Sequence, residues 1–198
     1  MKRKITASLL FIVGLILGLL AKLDYTAQFD SFVYNSLIYF KSSEITTFFK
    51  VVTNLGSTWF IIMLNIIIII SYFILKRKEI LIIPINSCLS VIFNNILKII
   101  IRRPRPNVLR LVKERNFSYP SGHAMISLLF YITVIVLINK SNIKHKKLIN
   151  VILVVIIILI GISRVYLGVH YITDILGGYL ISASILILTL KGDAKWKH

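Results

Sequence analysis

The chain has 198 residues, of which 57% are hydrophobic and 16% are charged, and its mean hydropathy is +0.86. A globule of this size cannot bury so much apolar surface, so the composition excludes an ordinary soluble domain. The net charge of +17 would suggest nucleic acid as the partner of a soluble protein. Here the cations lie in short clusters between apolar runs, and we therefore expect no nucleic-acid partner.

Six apolar runs are long enough to cross a hydrocarbon core of about 30 Å as helices, at about 1.5 Å per residue. We place these spans near residues 5–21, 57–75, 80–101, 121–138, 148–163 and 171–190. The chain is thus predicted to be all-α, an integral membrane bundle of about six transmembrane helices that forms one domain over residues 1–198. The first run also resembles a secretory signal, but we favour an uncleaved anchor.

The basic clusters predict the orientation of the bundle, because cytoplasmic loops of membrane proteins carry an excess of Lys and Arg. If the spans alternate, residues 2–4, 76–78 and 140–147 fall on one side, together with Lys191, Lys195 and Lys197. The clusters therefore predict a multi-pass protein with both termini in the cytoplasm. The exception is the basic stretch 102–115, on the opposite side, which is what a phosphate-binding loop at the extracytoplasmic face would require. The richness of the chain in Ile, Lys and Asn would fit a bacterium with an AT-rich genome, so we expect a bacterial plasma membrane.

Residues 24–54, between the first two spans, are too polar to cross a membrane, although apolar residues recur there at helical spacing. They are Phe29, Phe32, Val33, Leu37 and Phe40. We expect an interfacial helical segment. It could be a lid or guide for a lipid tail, or an aromatic belt that only anchors the connection.

In the third span, Ser87, Ser90, Asn94 and Lys98 follow steps of three or four residues and form one polar stripe on a helix. Such a stripe would be costly against lipid, so it should face the bundle interior, with Lys98 at its outer end. Cys88, the only cysteine, offers no disulfide and is expected to be a small buried residue.

Lys98, Arg105 and Arg164 lie near the ends of apolar runs. Phosphate esters gain charge on their equatorial oxygens in the transition state, and fixed cations neutralise it. A single cation at such a position is often only a snorkelling anchor. The spacing of these three resembles the pattern of a known family, and that resemblance favours a phosphate site. Arg102, Arg103 and Arg110 lie off the pattern, and solvated or headgroup-facing roles are expected for them.

The segment Pro120-Ser121-Gly122-His123 opens the fourth span. The first turn of a helix has unpaired N–H groups and a positive dipole end, which together attract anions. Gly122 allows the backbone to approach a phosphate closely, and Ser121 can add a hydroxyl donor. The segment therefore predicts an anion cradle.

His170 and Asp174 are four residues apart, a spacing that places two side chains on one helix face. The carboxylate would fix the tautomer of the imidazole and leave its other nitrogen free to attack phosphorus. Arg164 and His170 would point to different sides of one continuous helix, so we expect the chain to turn near Gly168.

Of the four histidines, His123 and His170 fall in these segments. His145 and His198 lie in basic stretches, and we expect no catalytic role for them. Imidazole and carboxylate are metal ligands in principle. The surrounding cations would repel a divalent ion, so we expect no metal and no other cofactor.

These residues fall in three motifs, at 98–106, 120–123 and 163–174. They read Lys98-x6-Arg105-Pro106, Pro120-Ser121-Gly122-His123 and Ser163-Arg164-x5-His170-x3-Asp174, which resembles the type-2 phosphatidic acid phosphatase family. The resemblance implies that His170 is the nucleophile that forms a phosphohistidine, that Asp174 orients it and that His123 protonates the leaving oxygen. It further implies a phosphate held by Lys98, Arg105, Ser121, Gly122 and Arg164.

The compact size, the segment at residues 53–57 and the run from Arg164 to His170 resemble the bacterial phosphatidylglycerophosphatase B-like members of that family. This resemblance implies a membrane lipid phosphate as substrate and no obligatory protein partner. Phosphatidylglycerophosphate is the first expectation, and undecaprenyl pyrophosphate is the alternative. A carrier of anions or anionic lipids is the non-enzymatic alternative. Such a carrier would need the cations but gains little from an oriented nucleophile.

Overall fold

The computed structural model describes residues 1–190, and this part of the chain contains helices and no β-strand. The eight α-helices are α1 (Lys2–Lys22), α2 (Ala27–Ile38), α3 (Ser43–Asn54), α4 (Thr58–Leu75), α5 (Ile82–Ile101), α6 (Gly122–Lys140), α7 (Lys146–Tyr166) and α8 (Ile172–Thr189). A 3₁₀ turn, Lys78–Leu81, leads into α5. The all-α prediction is confirmed.

The six predicted spans are also confirmed, because α1, α4, α5 with its 3₁₀ turn, α6, α7 and α8 are long and apolar enough to cross a membrane. The observed helices agree with the predicted bounds to within a few residues. The predicted basic cluster at Lys191, Lys195 and Lys197, together with His198, lies outside the described residues.

The bundle is arranged around α6, which packs against α5, α7 and α8, while α1 lies along α8 and α4 lies at the edge. The most apolar 18-residue windows of α6 and α8 are 50% and 56% buried, against 11% for α4. The two most enclosed helices are thus the ones that begin at the second and third motifs.

Tyr119 ties the loop between α5 and α6 to the bundle. Its side chain is fully buried, and its hydroxyl donates to the carbonyl oxygen of Gly14 in α1. A Cβ added to Gly18 or Gly177 would collide with the Tyr119 ring, so both positions require glycine for this fit. Because Pro120 follows directly, this anchor sets where α6 starts.

The segment predicted to be helical and interfacial forms two helices. α2 packs against α7 and α8, and α3 packs against α7. The N-terminus of α3 is capped by Ser42, whose hydroxyl accepts a hydrogen bond from the Ile45 N–H at 3.2 Å. Phe29 and Phe32 are exposed, as expected for an interfacial face, but Asp30 between them is only 1% exposed.

The polar stripe of α5 faces inward, as predicted, since Ser87, Ser90 and Asn94 are all buried. The expectation that Cys88 is buried is wrong, because its side chain is exposed. The physical reason is helical geometry: successive residues are rotated by about 100°, so Cys88 is rotated by about 200° from the buried Asn86 and points away from the bundle.

Candidate active site

All eight residues predicted to carry the chemistry converge at one end of the bundle. There the C-terminal ends of α5 and α7 meet the N-terminal ends of α6 and α8. The residues are Lys98, Arg105, Ser121, Gly122, His123, Arg164, His170 and Asp174. His123 lies within electrostatic range of four of the other seven, Lys98, Arg105, Arg164 and His170. The three motifs are far apart in the sequence, so the fold brings these residues together.

His170 reaches the site because the chain turns after α7, as predicted. Gly168 has φ +71°, a left-handed conformation that glycine adopts without steric cost. After it, the N–H groups of Val169 and His170 donate to the carbonyl oxygen of Arg164 at 3.2 and 3.3 Å. The turn therefore folds His170 back over the end of α7.

His170 and Asp174 form a pair, with 3.3 Å between Nδ1 and Oδ2. The expectation that they share a helix face is wrong, because α8 begins at Ile172 and His170 precedes it. The pair instead follows from the way the helix starts. Tyr171 is the N-cap, and its N–H donates to Asp174 Oδ2 at 2.9 Å, which places the carboxylate beside the imidazole.

The two nitrogens of His170 have different partners. An ionised carboxylate only accepts hydrogen bonds, so Nδ1 must donate to Asp174 and Nε2 then carries the lone pair. Nε2 lies 3.2 Å from Nη1 of Arg105. Burial lowers the pKa of His170 to about 3, because desolvation of the imidazolium outweighs the attraction of Asp174. The imidazole is therefore neutral at physiological pH, as a nucleophile must be.

Two of the predicted phosphate-binding cations donate hydrogen bonds to the surrounding backbone. Arg105 donates to the carbonyl oxygens of Val169 at 2.7 Å and Asn116 at 3.0 Å. Lys98 is half-buried and donates to the carbonyl oxygen of Phe117. These contacts come from segments far apart in the sequence, and they hold both side chains toward the His170 side of the site.

Arg164 is 2% exposed and donates to Thr53 Oγ1 at 2.8 Å from the end of α3. Its other terminal nitrogen pairs with Glu114, whose second oxygen lies 3.7 Å from Arg105 Nη2. Glu114 thus links two of the three predicted phosphate-binding cations. Sequence reasoning missed it, and its position among several charged loop residues gave no signal.

α6 begins at the second motif, as predicted. Ser121 is the N-cap residue, and its side chain accepts from the Ala124 N–H at 3.5 Å, while its own N–H donates to the carbonyl oxygen of Asp174 at 3.1 Å. Asn94, from the polar stripe, donates to the carbonyl oxygen of Pro120 at 2.9 Å. A Cβ on Gly122 would come within 3.1 Å of the same Asn94 side chain.

The expectation that Arg103 is solvated or headgroup-facing is wrong. Arg103 is 2% exposed and donates to Asp174 Oδ1 at 2.7 Å. Its neighbour Arg102 is exposed, as expected, and ends α5 in a left-handed conformation. Pro104 and Pro106 bias the residues before them to extended backbone, in which side chains two apart share a side. Arg103 and Arg105 therefore both turn inward.

Ser118 is a further residue that the sequence did not reveal. It is fully buried, and its hydroxyl donates to Asp174 Oδ2. Its N–H also donates to the carbonyl oxygen of Arg103 at 2.8 Å. The carboxylate of Asp174 thus accepts hydrogen bonds from donors in two loops in addition to its contact with the imidazole.

The family model of the PAP2 superfamily matches residues 79–197. Phosphatidylglycerophosphatase B of Bacillus subtilis is 32% identical over 193 residues, which cover 96% of this chain and 95% of that protein. An undecaprenyl-diphosphatase of Sulfolobus acidocaldarius is 27% identical over 121 residues, covering 58% of this chain and 55% of the relative.

The fold is similar to the crystal structure of a transmembrane PAP2-type phosphatidylglycerolphosphate phosphatase from Bacillus subtilis. The TM-score is 0.85 at 31% identity, and the match covers 93% of this chain and 94% of that one. The described residues contain six helices suited to a membrane, and a phosphatase relative matches nearly the whole chain. Both findings agree with the family that the three motifs indicated. The chain therefore belongs to the PAP2 superfamily and is a multi-pass membrane phosphatase, a hydrolase of phosphoric esters.

Proposed function

We propose that this phosphatase removes the terminal phosphate of a membrane lipid through a phosphohistidine at His170. The observation that carries the proposal is the orientation of His170, whose Nδ1 faces Asp174 at 3.3 Å and whose Nε2 faces Arg105 at 3.2 Å. A nucleophile so oriented points its lone pair toward cations that can hold a phosphate. We further propose that residues 1–198 form one catalytic domain.

In the first step, Nε2 of His170 attacks phosphorus, a bond between nitrogen and phosphorus forms, and the bond from phosphorus to the leaving oxygen breaks. His123 gives the leaving oxygen its proton. In the second step, water attacks phosphorus, a bond between oxygen and phosphorus forms, and the bond from phosphorus to Nε2 of His170 breaks. His123 takes a proton from that water, and inorganic phosphate leaves. Lys98, Arg105 and Arg164, with the backbone at Ser121 and Gly122, would hold the phosphoryl oxygens in both steps.

Phosphatidylglycerophosphate is the substrate we propose first, because the Bacillus subtilis relative with that activity in its name matches nearly the whole chain. Undecaprenyl pyrophosphate is the second candidate, supported by the shorter match to an undecaprenyl-diphosphatase. Purified protein should release phosphate fastest from phosphatidylglycerophosphate in a panel that also contains phosphatidic acid and undecaprenyl pyrophosphate. Faster turnover of the undecaprenyl substrate would reverse the order of the two candidates.

A carrier of anions or anionic lipids is the non-enzymatic alternative. It would use the same cations, but it has no need for a neutral histidine oriented by a buried carboxylate. Phosphate release from any lipid of the panel by the wild type, and none by His170→Gln, excludes the carrier. Binding of lipid phosphate without release would favour it.

We propose that both termini are cytoplasmic and that the site opens to the extracytoplasmic face of a bacterial plasma membrane. The motif loops lie at one end of the bundle, and the basic loops at 76–78 and 140–147 lie at the other. In a Cys88→Ser background, Val108→Cys should react with a membrane-impermeant thiol reagent on intact cells. Asn142→Cys should react only after permeabilisation, and its equal labelling before and after would contradict the orientation.

We propose that the reaction needs no metal ion, because the site combines three cations with a covalent nucleophile. Activity should persist in excess chelator. Vanadate, which adopts the five-coordinate geometry of the transferring phosphoryl group, should inhibit. A chelator-induced loss that a divalent ion restores would reject the metal-free mechanism.

A further inference from the structure

Behind the catalytic pair lies a buried network of one cation and two carboxylates. Arg103 Nη2 is 2.8 Å from Asp30 Oδ2, and Arg103 Nη1 is 2.7 Å from Asp174 Oδ1. The side chains of Arg103, Asp30 and Asp174 are 3%, 0% and 0% exposed. The guanidinium lies over the ring of Tyr171, with 3.8 Å between Cζ and the ring centroid. Such a fork is suited to bridging two carboxylates in fixed directions.

The remaining contacts join Asp30 to the start of α8 and divide the two oxygens of Asp174 between different partners. The Thr173 hydroxyl lies 2.9 Å from both Oδ1 and Oδ2 of Asp30. Asp30 Oδ1 accepts from the Thr173 N–H at 3.1 Å, at the start of α8. Asp174 offers Oδ1 to Arg103 and keeps Oδ2 for His170, Ser118 and the Tyr171 N–H. Asp30 therefore holds Arg103 and the first turn of α8 together, and Arg103 determines which oxygen of Asp174 faces the imidazole.

The charges of the network suit a nucleophile among cations. His170 becomes positively charged as its bond to phosphorus forms. The cations Lys98, Arg105 and Arg164 repel that positive charge. Arg103, Asp30 and Asp174 together carry one net negative charge. This charge attracts the positive charge on His170 and so offsets the repulsion from the three cations. Buried ion pairs seldom stabilise a fold by themselves, because desolvation of the charges offsets their attraction. A buried network that ends at the catalytic carboxylate points to a role in the reaction.

We propose that Asp30 and Arg103 are positioning residues of the phosphatase, which act on the nucleophile His170 through Asp174. The proposal rests on the proposed function, in which His170 attacks phosphorus. It assigns to α2 a part beyond interfacial anchoring: through Asp30, this helix joins the support of the nucleophile. Arg103 lies 71 residues from Asp174 and 73 from Asp30 in the chain.

The test compares Arg103→Gln, Arg103→Lys, Asp30→Asn and the double variant Asp30→Asn/Arg103→Gln. Arg102→Gln is the matched control, since it removes the same charge from the adjacent exposed residue. We expect Arg103→Gln to lower kcat by about 10²-fold and Asp30→Asn by about 10-fold, with KM changed less than about threefold. Arg103→Lys should retain part of kcat, because an ammonium keeps the charge but lacks the fork.

Two signatures separate positioning from a purely structural role. Because the residues act as one unit, the double variant should be no slower than Arg103→Gln alone. The fold-loss should also be equal on a lipid phosphate and on p-nitrophenyl phosphate, since a misplaced nucleophile slows attack on both. All rates are taken per folded protein, measured by size-exclusion chromatography and thermal unfolding. If Arg103→Gln does not fold, Arg103→Lys and the isosteric Asp30→Asn carry the test.

Three results would overturn the inference while the proposed function stands. The first is a wild-type kcat per folded protein in Asp30→Asn and in the Arg103 variants. The second is a loss of kcat in the double variant equal to the product of the two single losses. The third is a loss of kcat in Arg103→Gln no larger than that in Arg102→Gln. A wild type that releases phosphate from no substrate would reject the proposed function, and this inference with it. The two failures are thereby distinguished.

Discussion

Replacing His170 by alanine should abolish phosphate release from every substrate, with a loss of at least about 10⁴-fold in kcat/KM. The reason is that the proposed covalent path begins at Nε2, which lies 3.2 Å from Arg105 in a site with a neutral imidazole. No change of leaving group can restore a missing nucleophile. Phosphate release from a lipid phosphate and from p-nitrophenyl phosphate measures this directly.

His170→Gln provides the matched variant for folding, since its amide can still donate to Asp174 but has no nucleophilic lone pair. It should be as inactive as His170→Ala, while His145→Ala, at an exposed histidine of the opposite loop, should keep full activity. Acid-labile phosphate on the quenched wild-type protein, absent from both His170 variants, would identify the intermediate. Turnover of p-nitrophenyl phosphate that survives in His170→Gln would show that another residue is the nucleophile.

Replacing His123 by alanine should give a loss that depends on the leaving group. General acid catalysis contributes about 10²–10⁴-fold when the leaving oxygen needs a proton. The alkoxide of a lipid needs that proton, whereas p-nitrophenolate departs readily as an anion. We therefore expect His123→Ala to be strongly impaired on a lipid phosphate and much less on p-nitrophenyl phosphate.

The position of His123 supports this role, because it stands in the first turn of α6, within electrostatic range of His170 and Arg164. The comparison uses kcat/KM ratios of variant to wild type for each substrate, on protein shown to be folded. An equal proportional loss on both substrates would assign His123 to phosphate binding instead of proton transfer.

Several features of this protein follow from its sequence alone. The membrane spans depend on the length and hydropathy of single segments, which are local properties, and all six were predicted. The turn at Gly168 followed from the need to bring Arg164 and His170 to one place, and its φ of +71° agrees. The inward direction of the stripe at Ser87, Ser90 and Asn94 followed from helical periodicity.

Local reasoning failed where the backbone departs from a regular helix. The spacing of His170 and Asp174 predicted a shared helix face, but the pair forms across the N-cap of α8, where the Tyr171 N–H binds the carboxylate. Arg103 was expected in solvent because four cations crowd residues 98–105 and only two of them match a motif. The two prolines were the available signal, since they place Arg103 and Arg105 on one side of an extended segment.

Only the tertiary structure decided which residues surround His170 and Asp174. Asp30 and Thr173 lie 143 residues apart in the chain, and Ser118 and Asp174 lie 56 apart. Contacts at such separations depend on how the helices pack, which no periodicity within one segment encodes. The sequence by itself determined the membrane helices and the residue types of the chemistry. The packing of α2 and the α5–α6 loop against α8 decided the buried network around Asp174. Buried charges there are removed from water, so each must pair with a group from another part of the chain.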